Sequence, residues 1–428
     1  MLRKSKILVA LSLALMLVLI AGMVVLAETK VTILMGTDKM RVKYVEEAVE
    51  IVKQKHPDWN IEIETPPDAE MVFLASMGAG SGPDIFHVDT FKIPAYVEAN
   101  YLQDLSENVE NWSDWVQYPD SMKGIVSYKN KPYATVWDTD VRVLYYRKDL
   151  FVKAGLPIDW QPKNWNDILT AARELKKSGV PYPIVGPMGR NWDEGCTFQN
   201  FFMFLWGADG KLYDWDKEEW VVKSQAYFDT LNFYKTLHDE ELIPKELPTE
   251  PRPWDIAYTY FSNKEAAILI DGSWVWGEVF AEGRTYAVPN VDETVGYALI
   301  PKKDGTGFIT GAGGWSWAIT AQAKDKEATW EVFKEICSKN ITAKYCTESA
   351  HVAPRKDVAE DPAYKAHKFL SWCVSEVLPY AKFRPALTVY PKVSLQIQLM
   401  VEKVASGEMS PEEALDNYAK TVNLLVGQ

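Results

Sequence analysis

Cysteine and histidine are scarce, with four and five in 428 residues. Cys196, Cys337, Cys346 and Cys373 form no CxxC pair, and the histidines have no metal-site spacing, so neither a structural zinc site nor any other metal is expected. The four cysteines allow up to two disulfides in an exported chain, or equally four buried thiols. No Walker A, GxSxG or HExxH sequence is present, which removes the common nucleotide, nucleophile and zinc-protease signatures, and no cofactor is implied. Gly78-Ala79-Gly80-Ser81-Gly82 follows a helical stretch and enters a strand, the reverse of a phosphate-cradling loop, and reads as a turn. Basic residues are outnumbered, 46 against 59 acids, which makes nucleic acid and anionic lipid poor partners. There is no internal repeat and no low-complexity tract.

Long apolar runs are also missing, with one exception. Arg3, Lys4 and Lys6 precede an uncharged stretch from Ile7 to Leu26, and Val25-Leu26-Ala27 places small residues at a cleavage point. Residues 1–27 read as an export signal whose removal leaves Glu28 first and moves the formal charge from −13 to −16. The rival reading is a retained anchor, since the run is long enough to cross a bilayer. No cysteine near the cut offers a lipid attachment point, so the expected location is periplasmic or extracellular.

What remains is an ordinary globular composition, 47% hydrophobic and 25% charged, long enough for two domains. Val31 to Met35 reads as a strand; Val42, Val45, Val49 and Val52 then share a helical face. A strand at Ile61 and Ile63, a helix over Ala69 to Met77 and a strand from Asp84 to Val88 complete a βαβαβ alternation and predict a mostly parallel sheet. Asn164 with Asp167 predicts an N-capped helix burying Ile168, Leu169, Ala172 and Leu175. Ser410-Pro411-Glu412-Glu413 is a capping box that opens a last helix burying Leu415, Tyr418, Val422 and Leu425.

The unusual supply is aromatic, with 17 Trp and 21 Tyr, many beside Gly, Asp or Asn. Trp137-Asp138, Asn191-Trp192-Asp193, Gly272-Ser273-Trp274 and Gly314-Trp315 suit carbohydrate, whose C–H faces stack on rings while its hydroxyls bond to carboxylates and guanidinium groups. Large aromatics more often fill cores, and each of these has that reading beside it. Trp274 and Trp276, on an extended segment, would face opposite ways, so at most one lines a cleft. Asp89 lies beyond the carboxyl end of a strand, where α/β sheets place ligand-binding residues; Asp138 and Asp140 are similarly placed, and each could instead be a cap or a surface acid.

Several segments together resemble the extracellular solute-binding proteins of ABC importers, in the family 1 group that includes the maltose-binding-protein-like sugar binders. They are Gly82-Pro83-Asp84-Ile85 with Tyr96 to Leu102, Lys131-Pro132-Tyr133-Ala134, Val143 to Phe151 with Ala154-Gly155-Leu156, Asn164-Trp165-Asn166-Asp167, Glu265 to Ile268 with Asp271-Gly272-Ser273-Trp274, and Gly313-Gly314-Trp315. Ala134 for proline, Arg147 for asparagine and the longer approach at Trp160 to Lys163 depart from the pattern. The resemblance implies an α/β, two-lobed type II periplasmic-binding-protein fold with hinge strands and an interlobe cleft. It divides the chain into an N-terminal lobe of 28–139 plus 312–358 and a C-terminal lobe of 140–311 plus 359–428, with crossings near Thr139, Gly311 and Val358. Trp274 stands at the position most like a family stacking residue, Asp140 at a polar hinge contact, and Asp89 and Lys92 in the segment that supplies first-lobe polar contacts. Trp315, Arg384 and Tyr390 follow from residue type and rough position, and Trp192 from its chemistry alone. The expected function is capture of a sugar or polyol and delivery to importer membrane subunits by a soluble monomer, with no catalysis. A polyamine or other cation as ligand, and a secreted glycoside-active enzyme, are the alternatives.

Overall fold

The computed structural model describes residues 29–427, so the leader read from residues 1–27 lies outside the described residues. Among those described, no helix is long and apolar enough to cross a membrane.

The first lobe grows from the opening alternation. Strand Lys30–Leu34 pairs in parallel with Asn60–Glu64 on one side and Ile85–Asp89 on the other. Helix Lys39–Lys55, capped by Asp38, buries Met40, Tyr44, Val45, Ala48, Val49 and Val52. Met40 and the three valines each contribute roughly 1.5–3 kcal/mol relative to exposure. The sheet is mixed rather than parallel throughout, because Trp315–Ile319 enters antiparallel beside Ile85–Asp89 and pairs onward with Thr135–Val136. Strands from distant parts of the chain therefore complete this sheet. Helices Lys326–Ile336 and Lys339–Ser349 pack on helix Lys39–Lys55 and stay with the same lobe. Gly80 takes the left-handed conformation that ends helix Ala69–Ala79, so the glycine-rich segment is a helix C-cap and turn.

The second lobe is built on a four-stranded sheet, ordered Val295–Ala298, Arg142–Arg147, Ile268–Gly272, Ile184–Val185. All six residues of Arg142–Arg147 are buried. Asn164 caps helix Trp165–Lys177 by accepting from the Asp167 amide at 3.0 Å; the buried face runs through Ile168, Ala171, Ala172 and Leu175, while Leu169 is only half-buried. The capping box at Ser410 and Glu413 is formed, and helix Pro411–Val426 buries Leu415, Tyr418 and Val422. Leu425, expected inside, is 41% exposed where this helix ends. All four cysteines are buried and unpaired.

The chain passes between the sheets three times. Residues 137–141 lead out of the first sheet into Arg142–Arg147, and residues 312–314 lead back from strand Phe308–Gly311 to Trp315–Ile319. The third passage follows helix Lys339–Ser349, where Val352 bridges Thr139 in antiparallel fashion. The passages are tied to one another: Thr139 Oγ1 donates to the Gly313 carbonyl at 2.7 Å, and the Arg142 amide donates to Thr310 Oγ1 at 2.7 Å.

Candidate functional site

Between the lobes lies a cleft of about 1090 Å³ whose floor is formed by the passages. Asp140 and Arg142 stand on the floor and are ion-paired to each other with both side chains buried. Gly314 and Trp315 continue it from the second passage, and His351 from the third. Alternation along strand Ile85–Asp89 turns His87 and Asp89 to one face; His87 stacks on Trp315 at 4.7 Å, and the Arg41 guanidinium lies 4.9 Å from the same ring.

The first-lobe wall carries Asp89, Phe91 and Lys92, together with the start of helix Lys39–Lys55. Lys92 is paired to Glu70 of the neighbouring helix. The second-lobe wall carries Trp192, Glu194, Phe198, Trp254, Trp274 and Glu278. Trp192 and Trp254 meet edge to face at 4.7 Å. Arg384 joins the walls. Its guanidinium lies 4.5 Å from the ring of Phe91 and 4.3 Å from that of Phe198, donates to Asp89 at 2.7 Å and reaches Glu194 at 3.4 Å. Glu194 also accepts from the Tyr390 hydroxyl at 2.8 Å.

Asp89, Lys92, Asp140, Trp192, Trp274, Trp315 and Arg384 are thus brought to one cleft. Three other expected residues do not reach it. Trp137 is wholly buried, stacked on Tyr345 at 4.2 Å with its indole N–H donating to the Ile336 carbonyl, because its bulk fills the junction between sheet and helices. Asp138 is equally buried; it accepts from the Trp315 amide at 2.9 Å and the Tyr345 hydroxyl at 3.0 Å, and so fixes the floor from beneath. Tyr390 is covered, its hydroxyl donating to Glu194 from behind. The segment around Trp274 is also not extended. Val275–Val279 is a wide π-turn, and Trp276 packs into the core against Phe369 at 4.8 Å while Trp274 faces the cleft. Gly272 permits this, since a Cβ there would lie 1.7 Å from the Trp274 ring.

Arg41, Arg142, Glu194, Phe198, Glu278 and His351 were not foreseen as lining residues. Glu194 follows directly on the Trp192-Asp193 pair, and Arg41 stands three residues after the capping Asp38; those neighbourhoods were the only local signals.

Burial shapes the ionisation of this region. It pushes the Asp271 carboxyl up to about 7 and the Glu278 carboxyl up to about 8, and it lowers His351 to about 3. For the two acids the unfolded chain releases its proton first, so stability is lost as pH rises from their ordinary values of 3.8 and 4.5 up to about 7 and 8. For the histidine the unfolded chain takes the proton first, below its ordinary value of 6.5, so stability falls as pH drops from there toward 3. Two acids outweigh one histidine over most of this range, so the expected result is a melting temperature that is highest near about pH 4, falls toward about pH 8 and falls again toward about pH 3, measured by calorimetry across that window.

Two lobes joined by three passages, with a mixed polar and aromatic cleft between them, define a hinged binding protein. The chain belongs to the bacterial extracellular solute-binding proteins, whose family profile matches residues 42–339. It is 40% identical over 334 residues to the sn-glycerol-3-phosphate-binding periplasmic protein UgpB of Brucella melitensis, covering 71% of each chain. Its fold matches maltose-bound MalE3 of T. maritima with a TM-score of 0.81 at 23% identity, covering 93% of this chain and 100% of that one. A solute-binding protein of an ABC transporter from Thermotoga lettingae, bound with α-D-tagatose, matches with a TM-score of 0.79 at 26% identity over 93% and 99% of the two chains.

Proposed function

We propose that this protein is the extracytoplasmic receptor of an ABC importer, that it captures a neutral sugar or polyol between its lobes, and that it delivers the solute to the importer's membrane subunits as a soluble monomer. The observation that carries the ligand class is the charge balance of the cleft. Six basic and seven acidic side chains line it, and the guanidinium groups of Arg142 and Arg384 are already paired with carboxylates. A phosphate ester of the kind named for the Brucella relative needs unpaired cations, and a polyamine needs an excess of unpaired acids. A polyhydroxyl ligand needs neither; it needs rings to stack on and mixed donors and acceptors, and these line both walls.

The lobe boundaries we assign, 28–139 with 312–358 and 140–311 with 359–428, place rigid sheets on either side of short passages. Closure then turns about residues 137–141, 312–314 and the segment after Ser349. Ligand selects the closed form because only that form offers both walls at once. Trp274 supplies a stacking surface, and replacing it by alanine is expected to weaken binding at least tenfold, about 1.4 kcal/mol. Titration calorimetry of wild type and W274A checks this, and equal affinities remove Trp274 from the site. Salt separates the ligand classes further. Affinity for a neutral sugar is expected to stay nearly constant as ionic strength rises, whereas affinity for a polyamine falls steeply.

A further inference from the structure

Resting on this reading of the cleft as a carbohydrate site, we propose that Glu278 is a specificity-determining residue that presents a neutral carboxylic acid to the ligand and donates a hydrogen bond to one of its oxygens beside the Trp274 ring. Glu278 stands one turn after Trp274, its amide donating to the Trp274 carbonyl at 2.8 Å, so ring and carboxyl are carried on one rigid turn. Gly277 seats that turn against the other lobe, since a Cβ there would lie 2.4 Å from the Glu348 carbonyl oxygen. The Glu278 side chain is 16% exposed and lines the cleft. Its Oε1 is shut off from solvent and has no hydrogen-bond partner among the described residues. His351 Nδ1 is 3.7 Å away and engaged with Ser349 Oγ at 2.8 Å. A buried carboxyl without a partner is costly as an anion and much less so as an acid.

The surrounding charges act in both directions. Burial, reinforced by the Asp38 and Asp138 carboxylates, pushes the Glu278 carboxyl up to about 8, against the pull of Arg41 and Arg284. His351, lowered by burial and by Arg41, adds no cation, and Tyr258 and Tyr345 are held in their neutral form. Glu348 faces the same region but is tied to Lys43, Tyr44 and Arg284. At neutral pH the site therefore offers a proton donor where a charged glutamate offers only acceptors.

The test uses the full exported protein and dissociation constants for maltose, D-tagatose and ribitol, whichever of these the wild type binds. If the acid form is the binding form, the wild-type constant rises about tenfold between about pH 6 and pH 9, following the fraction protonated. E278Q, which keeps a donor and an acceptor, binds like the wild type at the lower pH and loses the pH dependence. E278A binds about tenfold more weakly throughout. A wild-type affinity flat across this range, or an E278Q as weak as E278A, overturns the proposal. If none of the three probes binds, the choice of sugar is what fails, and the Glu278 carboxyl is then followed by carbon NMR with E278Q assigning its signal. A midpoint near 8 keeps the neutral acid, and one near the ordinary 4.5 overturns it.

Discussion

Replacing Trp137 by alanine is expected to lower the free energy of unfolding by about 3–5 kcal/mol, the range for deleting a fully buried large aromatic. The side chain has no exposed surface, stacks on Tyr345, meets Trp317 edge to face at 5.5 Å and gives its N–H to the Ile336 carbonyl. Alanine leaves a cavity at the point where sheet, helices and the first passage converge, and it leaves that carbonyl without its donor. Phenylalanine keeps a ring against Tyr345 and is expected to lose less than half as much. Urea unfolding of the three proteins measures the difference. A loss below about 1 kcal/mol for W137A would show that the ring is not part of the packed junction. Trp137 is thus a residue of stability, and its substitution separates packing aromatics from those that line the cleft.

Arg384→Ala is expected to have an effect of similar size for a different reason. The Arg384 side chain is 5% exposed and bridges Asp89 of the first lobe to Glu194 of the second. Removing it leaves two partly buried carboxylates facing each other without a cation, which costs about 3–5 kcal/mol when a buried pair is broken on one side. Phe91 and Phe198 also lose the planar group between them. Because this contact spans the lobes, the variant should also sit more open, with a larger radius of gyration in solution scattering. Asp89→Asn, which keeps an acceptor for the guanidinium, should lose less on both measures. Unchanged stability together with unchanged scattering in R384A would show that the bridge does not hold the lobes.

Local periodicity and capping chemistry were legible in the sequence because they depend on near neighbours. The apolar spacing through Val45, Val49 and Val52 places their helix without help from the Asp38 cap, and Asn164 and Ser410 read as caps directly. The antiparallel entry of Trp315–Ile319 was not legible, since nothing local tells a strand that its partner lies more than two hundred residues away. The same limit governs the site. Asp89 reads as a cleft candidate from the strand end it follows and Asp140 from the family resemblance at a hinge, and both line the cleft, whereas Arg142 and Glu278 become cleft residues only through packing between lobes. Trp137 and Trp274 have similar sequence surroundings, each beside small or acidic residues, and only the third dimension sends one inward and the other to the cleft. Glu278 offered no sequence signal at all; an unpartnered oxygen is visible only once its neighbours are in place.

The measurement that bears most directly on the account is a thermal-shift series on the purified protein against neutral mono-, di- and oligosaccharides, polyols, glycerol phosphate and polyamines, with recovery of the ligand afterwards. A ligand that binds only the folded state stabilises it by about 2.7 kcal/mol at a hundred times its dissociation constant, enough to move the melting temperature visibly. The account predicts a shift with one class of neutral carbohydrate or polyol, insensitive to salt, and the ligand returned intact. A shift confined to polyamines or to glycerol phosphate, or a sugar returned cleaved, would contradict it.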